Sequence, residues 1–356
     1  MRRTIVVAVA SALALVGVAC GGGGGGDGGG PTELNALVWC DHTDPELLRP
    51  FEEANDVKVN VKDYEGTGVA LGILEQSQPG DWDVFVVDSV DVPRVAKAGW
   101  LAELNPDDFP WDDFFPAVRM PEMHYVDGKL YAVPEKFGYN VISYNGEKVD
   151  PQDMRDLESM WDPKYKGRIA VYDYYIPLME LVAISLGMEP SDITEADLPK
   201  IAERLSALKE QAALTGDVVT TQTALATGEV DIIFGGGEFV TAGLEAENPA
   251  LDWVLPDQGG IRWQQAIGVV ATSEKKDLAT KFVQYIVSPE GQARLATSSC
   301  YWAMPANSKA PLTDEQKRIL RWDEQPAFIE NSHPYFIPDP ELDAAMLEVW
   351  TEFLAG

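Results

Sequence analysis

Pro134-Glu135-Lys136-Phe137-Gly138-Tyr139-Asn140-Val141-Ile142-Ser143-Tyr144-Asn145 lies between two segments that each read as a separate α/β unit. Val141 and Ile142 with the flanking aromatics favour an extended backbone, Gly138 allows a bend, and Asn145-Gly146 marks the turn that follows. The stretch is expected to be a crossover strand that ties two lobes together at the back of a cleft. An ordinary buried strand ending in a turn is the other reading that these residues allow.

On its N-terminal side, short apolar runs alternate with amphipathic segments. Ala36-Leu37-Val38-Trp39 reads as a strand, and Asp44-Pro45 as the cap and first position of a helix that carries Leu47, Leu48 and Phe51 on one face. Val57, Val59 and Val61 alternate with polar residues and predict a second strand. Asp83-Val84-Phe85-Val86-Val87 predicts a third, followed by a helix through Val95 and Ala98 that Gly99 closes. This βαβαβα order implies a parallel, mostly buried sheet. Asn105 to Phe115 is loop-like, and Asp127-Gly128 is the turn of a hairpin between His124 and Val133.

Past the crossover the pattern recurs. Arg168 to Tyr172 predicts a strand before a helix through Leu178, Leu181, Val182 and Leu186, and Ile193 to Leu214 has long helical periodicity. Val230 to Phe234 predicts a strand closed by Gly235-Gly236-Gly237. Trp253 to Leu255 and Ala266 to Val270 predict two more, the second returning to the first lobe. Leu278 to Val287 and Glu290 to Ala296 read as helices. The tail from Leu312 is helical with proline interruptions, and its last helix is expected to dock through Leu342, Met346, Leu347 and Trp350.

The chain has 356 residues, enough for about two domains, and its 46% hydrophobic content is ordinary for a globular protein. A net charge of −31 argues against nucleic acid or an anionic membrane surface as partner, since both require a basic face. Cationic ligands suit it better, although acidity also serves solubility. Arg2-Arg3 precede an apolar run from Ile5 to Ala19, short for a spanning helix and right for a signal peptide. Val16-Gly17-Val18-Ala19-Cys20 resembles a bacterial lipobox with Cys20 as the lipidation site. Residues 1–20 are thus expected to be targeting sequence and 21–33 a Gly-rich tether. That predicts an exported protein, lipid-anchored on the extracytoplasmic face of the cell membrane or in the periplasm. Cys40 and Cys300 remain; in an oxidising compartment they are candidates for a disulfide, with a metal site around Cys40-Asp41-His42 as the alternative. No second cluster of ligands has usable spacing, so neither metal nor cofactor is expected.

Several stretches resemble the spermidine/putrescine-binding proteins of bacterial ABC importers. They are Trp39 with Pro45-Glu46-Leu47-Leu48, Asp83 to Val87, Val149-Asp150-Pro151, Trp161-Asp162-Pro163-Lys164-Tyr165-Lys166-Gly167, Pro256 to Trp263, and Met304-Pro305-Ala306-Asn307. The resemblance implies a two-lobed α/β fold, periplasmic-binding-protein-like of type II, each lobe a mainly parallel sheet flanked by helices and joined by crossing strands. It implies lobes of 34–140 with 266–310 and 141–265 with 311–356. The function implied is capture of a polyamine or related organic amine between the lobes and delivery to a membrane permease, by a monomer and without chemical change.

Counterparts of that family's ligand-gripping positions are Cys40, Asp88 with Val90, Tyr174 with Pro177, Phe234, and Trp263 with Gln265. The aromatic walls survive, but Tyr174, Pro177 and Gln265 stand where the family has carboxylates. Asp41, Asp88 beside Ser89, and Glu238 are the acids at strand ends that can take over, since an open α/β sheet places its ligand there. Trp263, Phe234, Tyr139 and Trp302 are the rings expected to stack on a cationic amine. Core packing is the other reading of each ring, and helix capping of each acid.

Two other ligand classes remain open on the same fold. Tyr174-Tyr175 resembles the adjacent tyrosines with which related receptors hold ferric ion, and Gly235-Gly236-Gly237 before a helix can cradle a phosphonate or carboxylate. A secreted hydrolase is the remote alternative. The three histidines, His42, His124 and His333, have no Ser or Cys in an evident nucleophile pattern, and Asp107-Asp108 and Asp112-Asp113 read as solvated surface.

Overall fold

The computed structural model describes residues 31–245 and 247–355. The expected signal peptide, the expected lipobox with Cys20 and the expected tether up to Gly30 lie outside the described residues. Thr32 and Glu33, read above as the end of the tether, are instead the first residues of a strand.

Nine strands frame the molecule. They are β1 (Thr32–Val38), β2 (Val57–Asp63), β3 (Val84–Asp88), β4 (Val133–Asn145), β5 (Ile169–Tyr172), β6 (Ala212–Gly216), β7 (Ile232–Gly236), β8 (Leu251–Val254) and β9 (Ile261–Val269). They run in the order β2-β1-β3-β9-β4-β7-β5-β6, with β8 added to β4. The outer pairs are parallel in each lobe, β1 with β2 and β3, and β5 with β6 and β7. The central pairs, β3 with β9, β9 with β4 and β4 with β7, are antiparallel.

The crossover is β4. All 13 of its residues are buried. Its first part pairs with β9 through Asn140, and from Val141 it pairs with β7 and β8, so one continuous strand belongs to both sheets. Two apolar cores sit on either side of the join. One gathers β1 to β3, the helices Pro45–Asn55, Lys276–Val287 and Pro289–Ala296, and the segment around Leu312 to Leu320. The other gathers β5, β7 and the helices Tyr175–Ser185, Leu198–Gln211 and Pro340–Ala355. The last helix docks through Leu342, Met346, Trp350 and Phe353; Leu347, expected among them, is 48% exposed.

Local chemistry explains most boundaries. Asp44 caps its helix by accepting from Glu46 N at 2.9 Å, with Pro45 in the first position. The hairpin turn has positive φ at both Asp127 and Gly128, the conformation that Asp-Gly tolerates. The helical reading of Ile193 to Leu214 stops earlier, at Gln211, because Ala212 to Gly216 pair with β5 as β6. Helices Thr67–Gln76 and Val218–Thr227 carry no strong periodic signal and were not expected. Gly235 and Gly236 do not close β7 but lie within it; a Cβ on either would strike Leu178 or Ser143.

Candidate ligand-binding site

A cavity of about 260 Å³ opens between the two sheets. The first lobe contributes Trp39, Tyr64, Glu65 and Asp88, from the carboxyl ends of β1, β2 and β3. The second contributes Tyr172 and Tyr174 after β5, Val218 after β6 and Phe239 after β7. Carboxyl ends of parallel strands in both lobes thus converge on one space, where such sheets leave room for a ligand. The crossing strands supply Asn140, Trp263 and Gln265, and the floor is completed by Cys40, Cys300 and Tyr301.

Aromatic side chains dominate the wall. Trp263 meets Phe239 edge-on with ring centres 6.2 Å apart, and meets Tyr301 in the same way at 6.4 Å. Trp39 leans on Tyr64 at 5.2 Å. The carboxylates bordering the cavity are Asp63, Glu65 and Asp88, and no Lys, Arg or His is among its described lining residues.

Asp88 joins the lobes directly. Its Oδ2 accepts from Tyr174 Oη at 2.7 Å and from Thr67 Oγ1 at 3.3 Å, and it makes no capping bond to the turn that follows. Burial, reinforced by nearby Asp91, pushes its carboxyl up to about 7 despite those two hydrogen bonds. Across from it, Gln265 Nε2 donates to Tyr301 Oη at 2.9 Å, while Gln265 Oε1 has no protein partner. Trp39 Nε1 is likewise buried and unpaired.

Of the other residues singled out from sequence, Asp41 is fully buried behind the floor. His42 Nδ1 lies 2.8 Å from its Oδ1, and Lys136 Nζ donates to its Oδ2 at 2.9 Å. Burial alone would raise its carboxyl, but Lys136 and His42 hold it well below the usual range. His42 Nε2 in turn lies 3.1 Å from Glu135. Burial opposes the charge on His42, yet Glu135 and Asp41 hold its imidazole up to about 10. Two acids and two bases therefore form a closed, buried network, not a ligand contact. Lys136 also donates to the carbonyls of Leu295 and Tyr301 and sits 4.2 Å from the Tyr301 ring centre.

Ser89 is fully buried. Tyr139 is packed in the core, stacked on Trp253 at 6.0 Å and bonded through its hydroxyl to Gln325. Phe234 is core against Trp161. Trp302 packs against the first core. Glu238 is buried under the crossing strand, where it accepts from Tyr139 N at 3.1 Å, and burial pushes it up to about 8. These residues do not line the cavity: Ser89, Tyr139, Phe234 and Glu238 are buried in the packing of their strand or helix, and Trp302, in the loop before Met304, lies half-buried against the first core.

The two alternative ligand sites fare differently from the cavity. Tyr174 and Tyr175 diverge, to Asp88 and Asp343 respectively, so their hydroxyls do not converge on one ion. The Gly237 N–H donates to Ser143 Oγ at 2.8 Å and is not free to cradle an anion. No cluster of three or more His, Cys, Asp or Glu able to hold a metal occurs among the described residues, and Cys40 is disulfide-bonded to Cys300. Trp39, Tyr64, Phe239 and Tyr301 were missed. A signal existed for Trp39, which directly follows β1, whereas Phe239 sits in the first turn of the helix after β7 and Tyr301 reaches the cavity through a bridge between residues 260 apart.

Two lobes joined by crossing strands, with a cavity where both sets of strands end, define a receptor for a small solute. The chain belongs to the bacterial extracellular solute-binding proteins, whose family model matches residues 46–328. It is similar to the spermidine/putrescine-binding periplasmic protein of Escherichia coli K12, 24% identical over 267 residues, covering 74% of this chain and 75% of that one. It is also similar to iron uptake protein A1 of Synechocystis, 26% identical over 282 residues, covering 76% and 74%. The putative spermidine/putrescine ABC transporter structure from Listeria monocytogenes shares the fold, with a TM-score of 0.76 at 21% identity over 91% of this chain and 99% of that one.

Proposed function

We propose that this receptor captures an organic amine, a polyamine or a relative of one, in the cavity between its lobes and passes it unchanged to an ABC permease. The observation that carries the reading is the wall itself: aromatic faces with three carboxylates and, among the described residues, no lining Lys, Arg or His. A π face attracts an ammonium and its methylenes, and a buried carboxylate neutralises its charge. The names of the relatives from Escherichia coli and Listeria point the same way. Asp88, Tyr174, Trp263 and Gln265 are the proposed ligand-binding residues among those found from sequence, joined by Trp39, Phe239 and Tyr301. Ligand contacts to both lobes favour the closed arrangement that the permease reads.

The lobes we propose are 34–140 with 266–310 and 141–265 with 311–356, supported by β4 and β9 crossing between the sheets, save that Leu312, Ile319 and Leu320 pack with the first core, so the start of the tail goes with the first lobe and only its later part with the second. The receptor is taken to work as an exported, lipid-anchored monomer. No helix among the described residues is long and apolar enough to cross a membrane. Thermal-shift screening against spermidine, putrescine, amino acids, phosphonates and ferric ion tests the ligand class. Stabilisation by amines is expected; stabilisation confined to anions or iron would overturn it.

A further inference from the structure

Resting on that amine-receptor reading, we propose that the cavity seats one primary ammonium between Asp88 and Gln265 and takes the rest of the ligand as a neutral chain. The ligand is then a primary monoamine bearing a neutral hydrogen-bonding group, in preference to a linear polyamine. Asp88 and Gln265 are direct partners in the antiparallel pairing of β3 with β9, so their side chains stand together on one face. Both border the cavity, 4% and 3% exposed.

The open valences at this pair match an ammonium. Both hydrogen bonds to Asp88 arrive at Oδ2, from Tyr174 and Thr67. Gln265 uses its amide N–H on Tyr301, and its Oε1 is a buried acceptor without a donor. Such an acceptor is unfavourable until something donates to it. A primary ammonium has three N–H groups and can serve Asp88 Oδ1 and Gln265 Oε1 at once, which a quaternary ammonium cannot.

A second charge has no comparable seat. Asp88 is the most deeply buried carboxylate of the lining; Asp63 is exposed at the end of β2, and Glu65, its carboxyl raised by partial burial and by Asp217 and lying 3.5 Å from Tyr172 Oη, keeps an exposed side where water weakens an ion pair. A diamine would bring two positive charges to one buried negative charge and leave one uncompensated. The unpaired Trp39 Nε1 is a donor, which repels a second ammonium and suits a neutral oxygen such as a hydroxyl, ether or amide. A ligand carboxylate is disfavoured because no lining cation would pair with it.

Butylamine, 4-amino-1-butanol and putrescine share one chain length and differ at the far end, so calorimetric titration of each into the disulfide-intact protein at pH 8 is decisive. The expected order is 4-amino-1-butanol tightest, with putrescine weaker by about tenfold or more. Trp39→Phe keeps a ring and removes the donor; it should erase an advantage of about fivefold that 4-amino-1-butanol holds over butylamine. Gln265→Met should weaken both monoamines by a similar factor. Putrescine binding tightest would overturn the single seat and leave the amine receptor standing. Equal weakening of butylamine and 4-amino-1-butanol by Trp39→Phe would overturn the role of the neutral group. No binding by any of the three, nor by spermidine, would overturn both this inference and the reading beneath it.

Discussion

Lys136→Met tests whether the buried network behind the cavity floor is a structural necessity. Lys136 Nζ has each of its three N–H groups matched to an acceptor, Asp41 Oδ2 at 2.9 Å and the carbonyls of Leu295 and Tyr301 at 3.0 and 3.1 Å, and the side chain is fully buried. Methionine replaces the apolar stem but leaves Asp41 with His42 alone and removes a donor from both carbonyls, of which that of Leu295 keeps the Ser298 N–H at 3.3 Å. Breaking a buried ion pair by removing one member is destabilising by about 3–5 kcal/mol. At a urea slope of about 3 kcal/mol/M, the unfolding midpoint should fall by roughly 1 to 1.7 M. Tryptophan fluorescence during urea titration measures it. Adding Asp41→Asn should then cost less than the sum of the two single changes, because the partners share one interaction. A midpoint within about 0.3 M of the parent, or singles that simply add, would refute the account.

Three further outcomes are expected. His42 is held up to about 10 in the fold by Glu135 and Asp41 against the opposing effect of burial; a raised folded value means its stabilisation is whole below the unfolded value of about 6.5 and is lost as pH rises toward 10. Urea midpoints should decline over that window, and His42→Gln should flatten the decline; an equal slope in the variant would contradict it. Burial and Asp91 push Asp88 up to about 7, so below that pH a bound amine must displace a proton, and calorimetric affinity should fall about tenfold per pH unit. Affinity flat from pH 8 to 5, or the same slope in Asp88→Asn, would remove Asp88 from the site. Replacing both Cys40 and Cys300 by Ser opens a link between residues 260 apart and should destabilise by about 2–4 kcal/mol. It should also weaken ligand binding, since both residues border the cavity; unaltered melting and affinity would show the bridge to be dispensable.

The sequence carries the framework because strands and caps are local. Alternation at Val57, Val59 and Val61, the Asp44-Pro45 start and the Asp127-Gly128 turn need no partner to be recognised. The mixed character of β4 was also visible, as an apolar aromatic run with one glycine. Choices made by tertiary pairing were not. Ala212 to Leu214 continue helical spacing and become strand only by lying against β5. The site divides in the same way. Strand ends mark where a ligand goes, and Asp88 was found by that rule, but which neighbour faces the gap depends on packing. Asp41 stands one position from Cys40 yet turns inward to Lys136, and Glu135-Lys136, charged in an apolar strand, gave notice of buried partners without naming them.

The bridge between Cys40 and Cys300 closes a covalent ring through β2, both crossing strands and the second sheet. A protease that nicks an exposed loop within that ring leaves two pieces still fastened to each other. Outside the cell, where cleavage is frequent and resynthesis remote, a clipped molecule stays whole until a reductant reaches it. On a gel the nick would become visible only after thiol treatment.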